Sequence, residues 1–185
     1  VHFGESIETI RQDLREVSPT VFLGVPRIWE KMHASVTLKM KNSSWLKRSL
    51  FEFSSRHGRQ IASRRRNGQG RLLDGLTWFL CDQFIFRALL ERLGLRRCHL
   101  PFSGAAPISR DLLDWFHGIG LPVVEGYGMT ESAGLITLAH PSKPKLGSVG
   151  QAVPRVEVAL AKDGEVLARG PNIFLGYLHN ETATR

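Results

Sequence analysis

The chain has 185 residues, 42% of them hydrophobic and 23% charged, a balance that suits one domain with a buried core and excludes disordered and fibrous classes. Lysine plus arginine outnumber acidic residues 25 to 17, a formal charge of +8, which suits nucleic acid, anionic lipid or phosphorylated small molecules. No apolar run approaches the roughly 18 residues a membrane span needs, no secretory signal opens the chain, and Cys81 and Cys98 are too few for a disulfide scaffold and read as reduced, buried thiols of a cytoplasmic protein.

Ile7, Ile10, Leu14 and Val17 recur three or four apart, with Ser6 placed to cap and Glu8 in the first turn, so an amphipathic helix is expected, ended by Pro19. Residues 20–25 form an unbroken apolar run. A strand apolar on both sides implies a parallel sheet covered by helices on each face, and helix followed by strand is the doubly wound α/β pattern. Pro26 opens a second helix carrying Ile28, Trp29, Met32 and Val36, and after Asn42-Ser43-Ser44 a third shows Leu46, Leu50, Phe53 and Ile61 on one side. Asn67-Gly68-Gln69-Gly70 is a loop. Asp74 can cap an apolar helix over 76–93, terminated by Gly94. Residues 26–94 therefore read as a helical excursion between two sheet strands.

Residues 98–102 resume the sheet, and Ser103-Gly104-Ala105-Ala106-Pro107 is a tight loop of small residues. Ser109 caps a helix bearing Leu112, Leu113 and Phe116. Residues 122–125 form another buried strand that runs into Gly126-Tyr127-Gly128-Met129-Thr130-Glu131. The pattern then changes: 156–160 alternates, Asp163-Gly164 is a hairpin turn, and 165–169 returns. The expected organisation is an α/β part over 1–146, mostly parallel sheet flanked by helices, and the start of an antiparallel β subdomain over 147–185.

In an open parallel sheet, ligands bind beyond the carboxyl ends of the strands, and two loops here follow strands and have unusual composition. Ser103 to Pro107 offers backbone almost free of side chains, against which a flat ring can lie. In the second loop, Gly126 and Gly128 permit close approach and positive φ, and Tyr127 can stack on a heterocycle. Thr130 can donate to a phosphate oxygen and Glu131 can hold Mg2+, which prefers carboxylate and phosphate oxygens. On composition alone, two purely structural loops are an equal alternative.

The order of residues decides between them. Tyr127-Gly128-Met129-Thr130-Glu131, between Gly126 and Ser132, resembles the adenine and phosphate motif of the adenylate-forming superfamily, and Ser103-Gly104-Ala105-Ala106-Pro107 resembles the loop that covers the other face of the adenine. Gly147-Ser148-Val149-Gly150 and the stretch from Gly164 through Gly170 to Gly176-Tyr177 resemble two later motifs, in the right order. Val25-Pro26-Arg27-Ile28-Trp29-Glu30-Lys31, the helical excursion, and Arg110 to Phe116 are similar to the long-chain fatty acyl-CoA synthetase branch, bacterial or bubblegum-type. One departure is visible: Gly150-Gln151-Ala152-Val153-Pro154-Arg155 lacks the proline and final glycine usual there.

The resemblance implies activation of a fatty acid by ATP to an acyl-adenylate, then thioester formation with CoA. It implies that Gly104, Ala105, Ala106 and Tyr127 enclose adenine, with Met129 in the same loop, that Gly126 and Gly128 shape the floor near the acyl carboxylate, and that Thr130 and Glu131 act on the α-phosphate and Mg2+. The family's phosphate loop, ribose-binding aspartate and C-terminal lysine are not in these residues, both ends read as cut, and the isolated chain is expected not to turn over.

The cluster Arg56, Arg59, Arg64, Arg65, Arg66 and Arg71 reads first as a solvated face and second as a peripheral membrane contact for delivering fatty acid. It lacks the interleaved aromatics of a strand-binding surface, so no nucleic acid partner is expected. The competing function is a non-catalytic basic module, membrane- or nucleic-acid-binding, that retains the fold. Trp29 and Trp45 read as core residues before tunnel linings, the histidines lack metal-ligand spacing, and Ser103 has no histidine partner for a hydrolase.

Overall fold

The computed structural model describes residues 2, 6, 8–141 and 144–184. Three parallel strands, β1 (Val21–Gly24), β2 (Leu100–Ser103) and β3 (Val124–Tyr127), lie side by side, with Leu23 opposite Phe102 and Phe102 opposite Val124. The sheet then continues antiparallel through β4 (Thr137–Leu138) and β5 (Gln151–Ala152). A separate ribbon pairs β6 (Glu157–Leu160) with β7 (Val166–Arg169). The fold is thus α/β with a mixed sheet. The last strand of the parallel set sits two residues later than its apolar run. Gly126 and Tyr127 pair with Leu138 and Thr137, so the front of the glycine-tyrosine segment is strand.

α1 (Ile10–Val17) starts later than the cap pattern suggests, with Thr9 at the cap position. Ser6 and Thr9 instead bond each other in a preceding turn, Ser6 N–H to Thr9 Oγ1 at 3.1 Å and Thr9 N–H to Ser6 Oγ at 3.2 Å. Ile7 lies outside the described residues. In α2 (Pro26–Lys41), Trp29, Met32 and Val36 are buried as the periodicity requires. The Trp29 indole donates to the Gly24 carbonyl at 2.9 Å and meets Phe22 and Phe116 edge-on. Trp29 is therefore core, whereas Trp45 is 72% exposed and is not.

α3 (Trp45–Arg66) departs from its apolar pattern. Its inner face is Ser54, Ser55, Gly58 and Ile61, while Leu46, Leu50 and Phe53 are exposed. The cause is close approach to α6 (Arg110–Gly118). A Cβ on Gly58 would stand 2.1 Å from the Gly118 carbonyl oxygen, so only a small-residue face fits there. Backbone proximity outweighed apolar count.

α4 (Leu72–Cys81), a π-helical turn (Asp82–Phe86) and α5 (Arg87–Leu93) follow, ending at Gly94 with φ 73°. The run begins before Asp74, which sits in the first turn and accepts the Arg71 N–H at 3.0 Å. Its carboxylate also pairs with Arg64, which holds it below the usual carboxylate range. Nor is the arginine cluster a uniformly solvated face. Arg66 pairs with Asp114 at 2.6 Å, and Arg65 lies over the Trp78 ring at 5.1 Å. Both cysteines are free and buried, and burial pushes the Cys98 thiol up to about 11.

The main core gathers around Trp29, Met32, Phe86, Leu113, Phe116 and Val123, and Val124, Ile136 and Ala139 are buried outside that cluster. Helices flank the sheet, but at β1 one face is open among the described residues: Val21 and Leu23 are 49% and 56% exposed. A groove of about 880 Å³ lies there, lined by residues that include Leu14, Val17, Val21, Leu23 and Phe102. An apolar strand can therefore carry one face that this stretch of chain leaves open. No helix among the described residues is long and apolar enough to cross a membrane.

Candidate nucleotide-binding site

Because β2 and β3 are parallel neighbours, the loops that follow them leave the same edge of the sheet side by side. A Cβ on Gly104 would fall 3.4 Å from the Gly126 carbonyl oxygen, which puts the loop after β2 against the end of β3, where the second loop begins. Ala105 and Ala106 are exposed, and Ala105 holds φ 68°, a left-handed conformation that a non-glycine residue adopts at a cost. The surface they offer is mostly backbone.

Tyr127 closes β3 half-buried, opposite Thr137. The flanking glycines do not supply positive φ, since neither Gly126 nor Gly128 has it. They supply space. A Cβ on Gly128 would stand 2.0 Å from the Gly134 carbonyl oxygen, and one on Gly126 would press on Leu135 at 3.0 Å.

A 3-10 turn, Thr130–Ser132, follows. Ser132 is buried, and its hydroxyl accepts the Met129 N–H at 3.1 Å and donates to the Met129 carbonyl at 2.9 Å. That closure leaves Met129 and Thr130 exposed and Glu131 half-buried. The turn is held from outside by the segment 172–177. The Asn172 amide donates to the Ser132 carbonyl at 3.0 Å and the Leu135 carbonyl at 2.9 Å. The Phe174 N–H donates to the Glu131 carbonyl at 2.8 Å, and the Tyr177 hydroxyl donates to Glu131 Oε1 at 2.6 Å. The Tyr177 bond, joined by a backbone N–H, holds the Glu131 carboxyl below its usual range and raises the tyrosine.

Sequence reasoning placed Thr130 and Glu131 on this turn but missed its supports, Ser132, Asn172 and Tyr177. In the sequence Gly176-Tyr177 reads only as part of a later motif, and a directional contact across 46 residues leaves no local signal. Glu125, also unassigned, accepts the Gly147 N–H at 2.8 Å and ties the 147–150 segment to β3. Arg155, where the resemblance expects glycine, sits at φ 69°. The left-handed conformation is kept without the residue that favours it.

Among the described residues, no group of three or more His, Cys, Asp or Glu could hold a metal. A cation here would have Glu131 as its protein carboxylate and take its other ligands from phosphate oxygens and water, a donor set that fits Mg2+. His117 is buried, with Nε2 bonded to the Val123 carbonyl at 2.8 Å, and burial holds it toward the neutral form.

A parallel-strand edge carrying two such loops is where an open α/β fold places a ligand. Residues 3–178 match the family described as AMP-binding enzyme. The chain belongs to that family. It is 36% identical to a long-chain-fatty-acid–CoA ligase, ACSBG2, of Gallus gallus, over 96% of this chain and 24% of the relative. It is 32% identical to the long-chain-fatty-acid–CoA ligase FadD15 of Mycobacterium bovis, over 100% of this chain and 30% of the relative. The chain thus spans roughly a quarter to a third of the length of these curated relatives. Among solved structures, it resembles o-succinylbenzoate CoA synthetase of Bacillus subtilis in complex with its acyl-adenylate intermediate, with TM-score 0.55 and 19% identity, over 99% of this chain and 29% of that one. An anthranilate CoA ligase, AuaEII, gives TM-score 0.55 at 17% identity, over 99% of this chain and 28% of that one. These two likenesses bear on the fold alone.

Proposed function

We propose that this chain forms the central part of the adenylation site of a long-chain fatty acid–CoA ligase that uses ATP, Mg2+ and CoA, and that alone it does not turn over. In the reaction proposed, a fatty carboxylate oxygen attacks the α-phosphorus of ATP and the bond to pyrophosphate breaks. CoA thiolate then attacks the acyl carbonyl of the adenylate and AMP leaves. The observation that carries this reading is the approach of Gly104, in the loop after β2, to Gly126 at the end of β3, with Thr130 and Glu131 immediately beyond.

Gly104, Ala105 and Ala106 are assigned one face of the adenine and Tyr127 the other. Gly126 and Gly128 let the 134–135 segment pack against them and in that way shape the floor where the acyl carboxylate approaches, and Met129 carries the chain to the turn. The Thr130 hydroxyl, unburied, donates to an α-phosphate oxygen. Glu131 holds Mg2+, which when bound neutralises charge on the departing pyrophosphate. The residues form few bonds to the reacting atoms; their work is positioning and electrostatic stabilisation. Residues 1–146 would form the α/β body of this domain and 147–185 the start of its antiparallel part. Given the full-length protein with ATP, Mg2+, CoA and a series of fatty acids, AMP should be released only when a long-chain acid is present. Release of orthophosphate instead, or no dependence on the acid, would contradict the assignment.

A second reading concerns where the fatty acid is met. Leu72, Leu73, Leu76, Phe79, Leu80 and Phe84 are exposed along α4 and the π turn, and Arg71 and Arg87 are exposed at the two ends of that row. An apolar helical face with flanking cations suits an anionic lipid surface, so we place the protein in the cytoplasm with this face on a membrane. Sedimentation of the full-length protein with phosphatidylglycerol vesicles but not phosphatidylcholine vesicles is the expected result; equal recovery with both would remove this reading.

A further inference from the structure

We propose that Tyr177 is a positioning residue that presents Glu131 to its cation through one carboxylate oxygen; this rests on the metal role assigned to Glu131 above. The hydroxyl occupies Oε1 at 2.6 Å, which leaves Oε2, without that donor, as the oxygen to offer an incoming ion. The geometry is fixed from three sides. The Tyr177 ring meets Phe174 edge-on, with centroids 4.8 Å apart. Its backbone N–H donates to Thr184 Oγ1 at 2.9 Å, and that hydroxyl in turn donates to the Asn180 carbonyl at 2.7 Å. The Phe174 N–H holds the Glu131 main chain at the other end of the same short clasp, at 2.8 Å. The tyrosine is thus anchored on its own segment and reaches out with a single group.

A merely structural tyrosine would act through its ring. Here the ring already has its partner in Phe174, and the hydroxyl is the atom that touches the turn. A bare carboxylate can rotate and offer one or both oxygens. One whose Oε1 is held by an O–H donor offers a single oxygen in one direction, which is the share of coordination a Mg2+ bound mainly by phosphate and water leaves to the protein. Partners that orient a metal ligand in this way typically change metal affinity by roughly 10- to 100-fold when removed.

The test uses the full-length protein and Tyr177→Phe, which keeps the ring and its packing. Binding of Mn2+ in the presence of a non-hydrolysable ATP analogue, followed by electron paramagnetic resonance, should weaken about 10-fold. In ATP–pyrophosphate exchange, the Mg2+ concentration for half-maximal rate should rise by a similar factor while the rate at saturating Mg2+ changes little. The melting temperature without nucleotide should stay close to the parent value. Combined with Glu131→Gln, the same change should add nothing. A fall in melting temperature and maximal rate with unchanged Mn2+ affinity would overturn the proposal, and so would an equal effect of Tyr177→Phe in the Glu131→Gln background. If Glu131→Gln binds Mn2+ as the parent does, the metal role of Glu131 fails, an outcome that this single variant shows before Tyr177 is touched.

Discussion

Between β1 and β3 the chain is fixed by burial, with Trp29, Phe116 and Val123 fully enclosed where α2 and α6 meet the sheet. From residue 157 onward the reverse holds. β6 and β7 expose nearly every side chain, and the segment reaches the site loop by directional bonds from Asn172, Phe174 and Tyr177. Apolar burial is non-directional and tolerates small shifts, whereas hydrogen bonds to defined oxygens fix orientation. The first region therefore makes a platform, and the second sets the direction of the groups standing on it.

If that division is right, substitutions in the two regions should fail differently. The largest effect belongs to the platform. Trp29→Ala removes a fully buried indole and should cost about 3–5 kcal/mol of stability, read as a large fall in the denaturation midpoint. Any loss of ATP binding should follow the loss of folded protein and not exceed it.

An intermediate effect is expected for Asn172→Ala in the clasp. It leaves the Ser132 and Leu135 carbonyls without their donor, about 1–2 kcal/mol. Pyrophosphate exchange should fall several-fold more than the folded fraction does, because the turn bearing Thr130 and Glu131 loses its outer support. Loss of exchange only in proportion to unfolding would erase the distinction between the regions.

The smallest effect is one of pH. Burial lowers the pKa of His117, so its neutral form is the folded one. The sign follows from linkage: the unfolded chain takes up the proton first, so this stability is complete above the ordinary histidine pKa of about 6.5 and is lost as pH falls below it. Melting temperature measured from pH 7.5 to 5 should decline below about 6.5, and His117→Gln should flatten the decline. A residual slope should remain, because burial and Arg59 lower His33 as well. An unchanged slope in the variant would show that His117 does not carry the dependence.

How much of this could be read in the sequence follows the same division. Periodicity found α2 and its inward Trp29, Met32 and Val36, and the apolar runs found all three parallel strands, because burial leaves a regular signature along the chain. It misled in α3, where the Gly58–Gly118 approach chose the face with fewest apolar residues. It misled again at β1, where an apolar run did not mean two covered faces. At the candidate site, order and spacing singled out Tyr127, Thr130 and Glu131, which the fold places at the end of β3 and on the turn after it. Nothing local could show that Gly126 and Gly128 serve space and not positive φ, or that Tyr177 reaches Glu131. Those facts depend on which distant segments the fold brings together.

The central claim is that Thr130 and Glu131 serve the adenylation half-reaction from the edge of the parallel strands. ATP–pyrophosphate exchange by the full-length protein, measured across a Mg2+ series for Glu131→Gln and Thr130→Ala, tests it most directly. Glu131→Gln keeps the size of the side chain but removes its charge, and exchange should slow by roughly 10²-fold or more. CoA attack on preformed acyl-adenylate should fall much less, since no pyrophosphate departs in that step. Thr130→Ala should also slow exchange, without rescue by added Mg2+. Exchange by Glu131→Gln at the parent rate at every Mg2+ concentration would contradict the account.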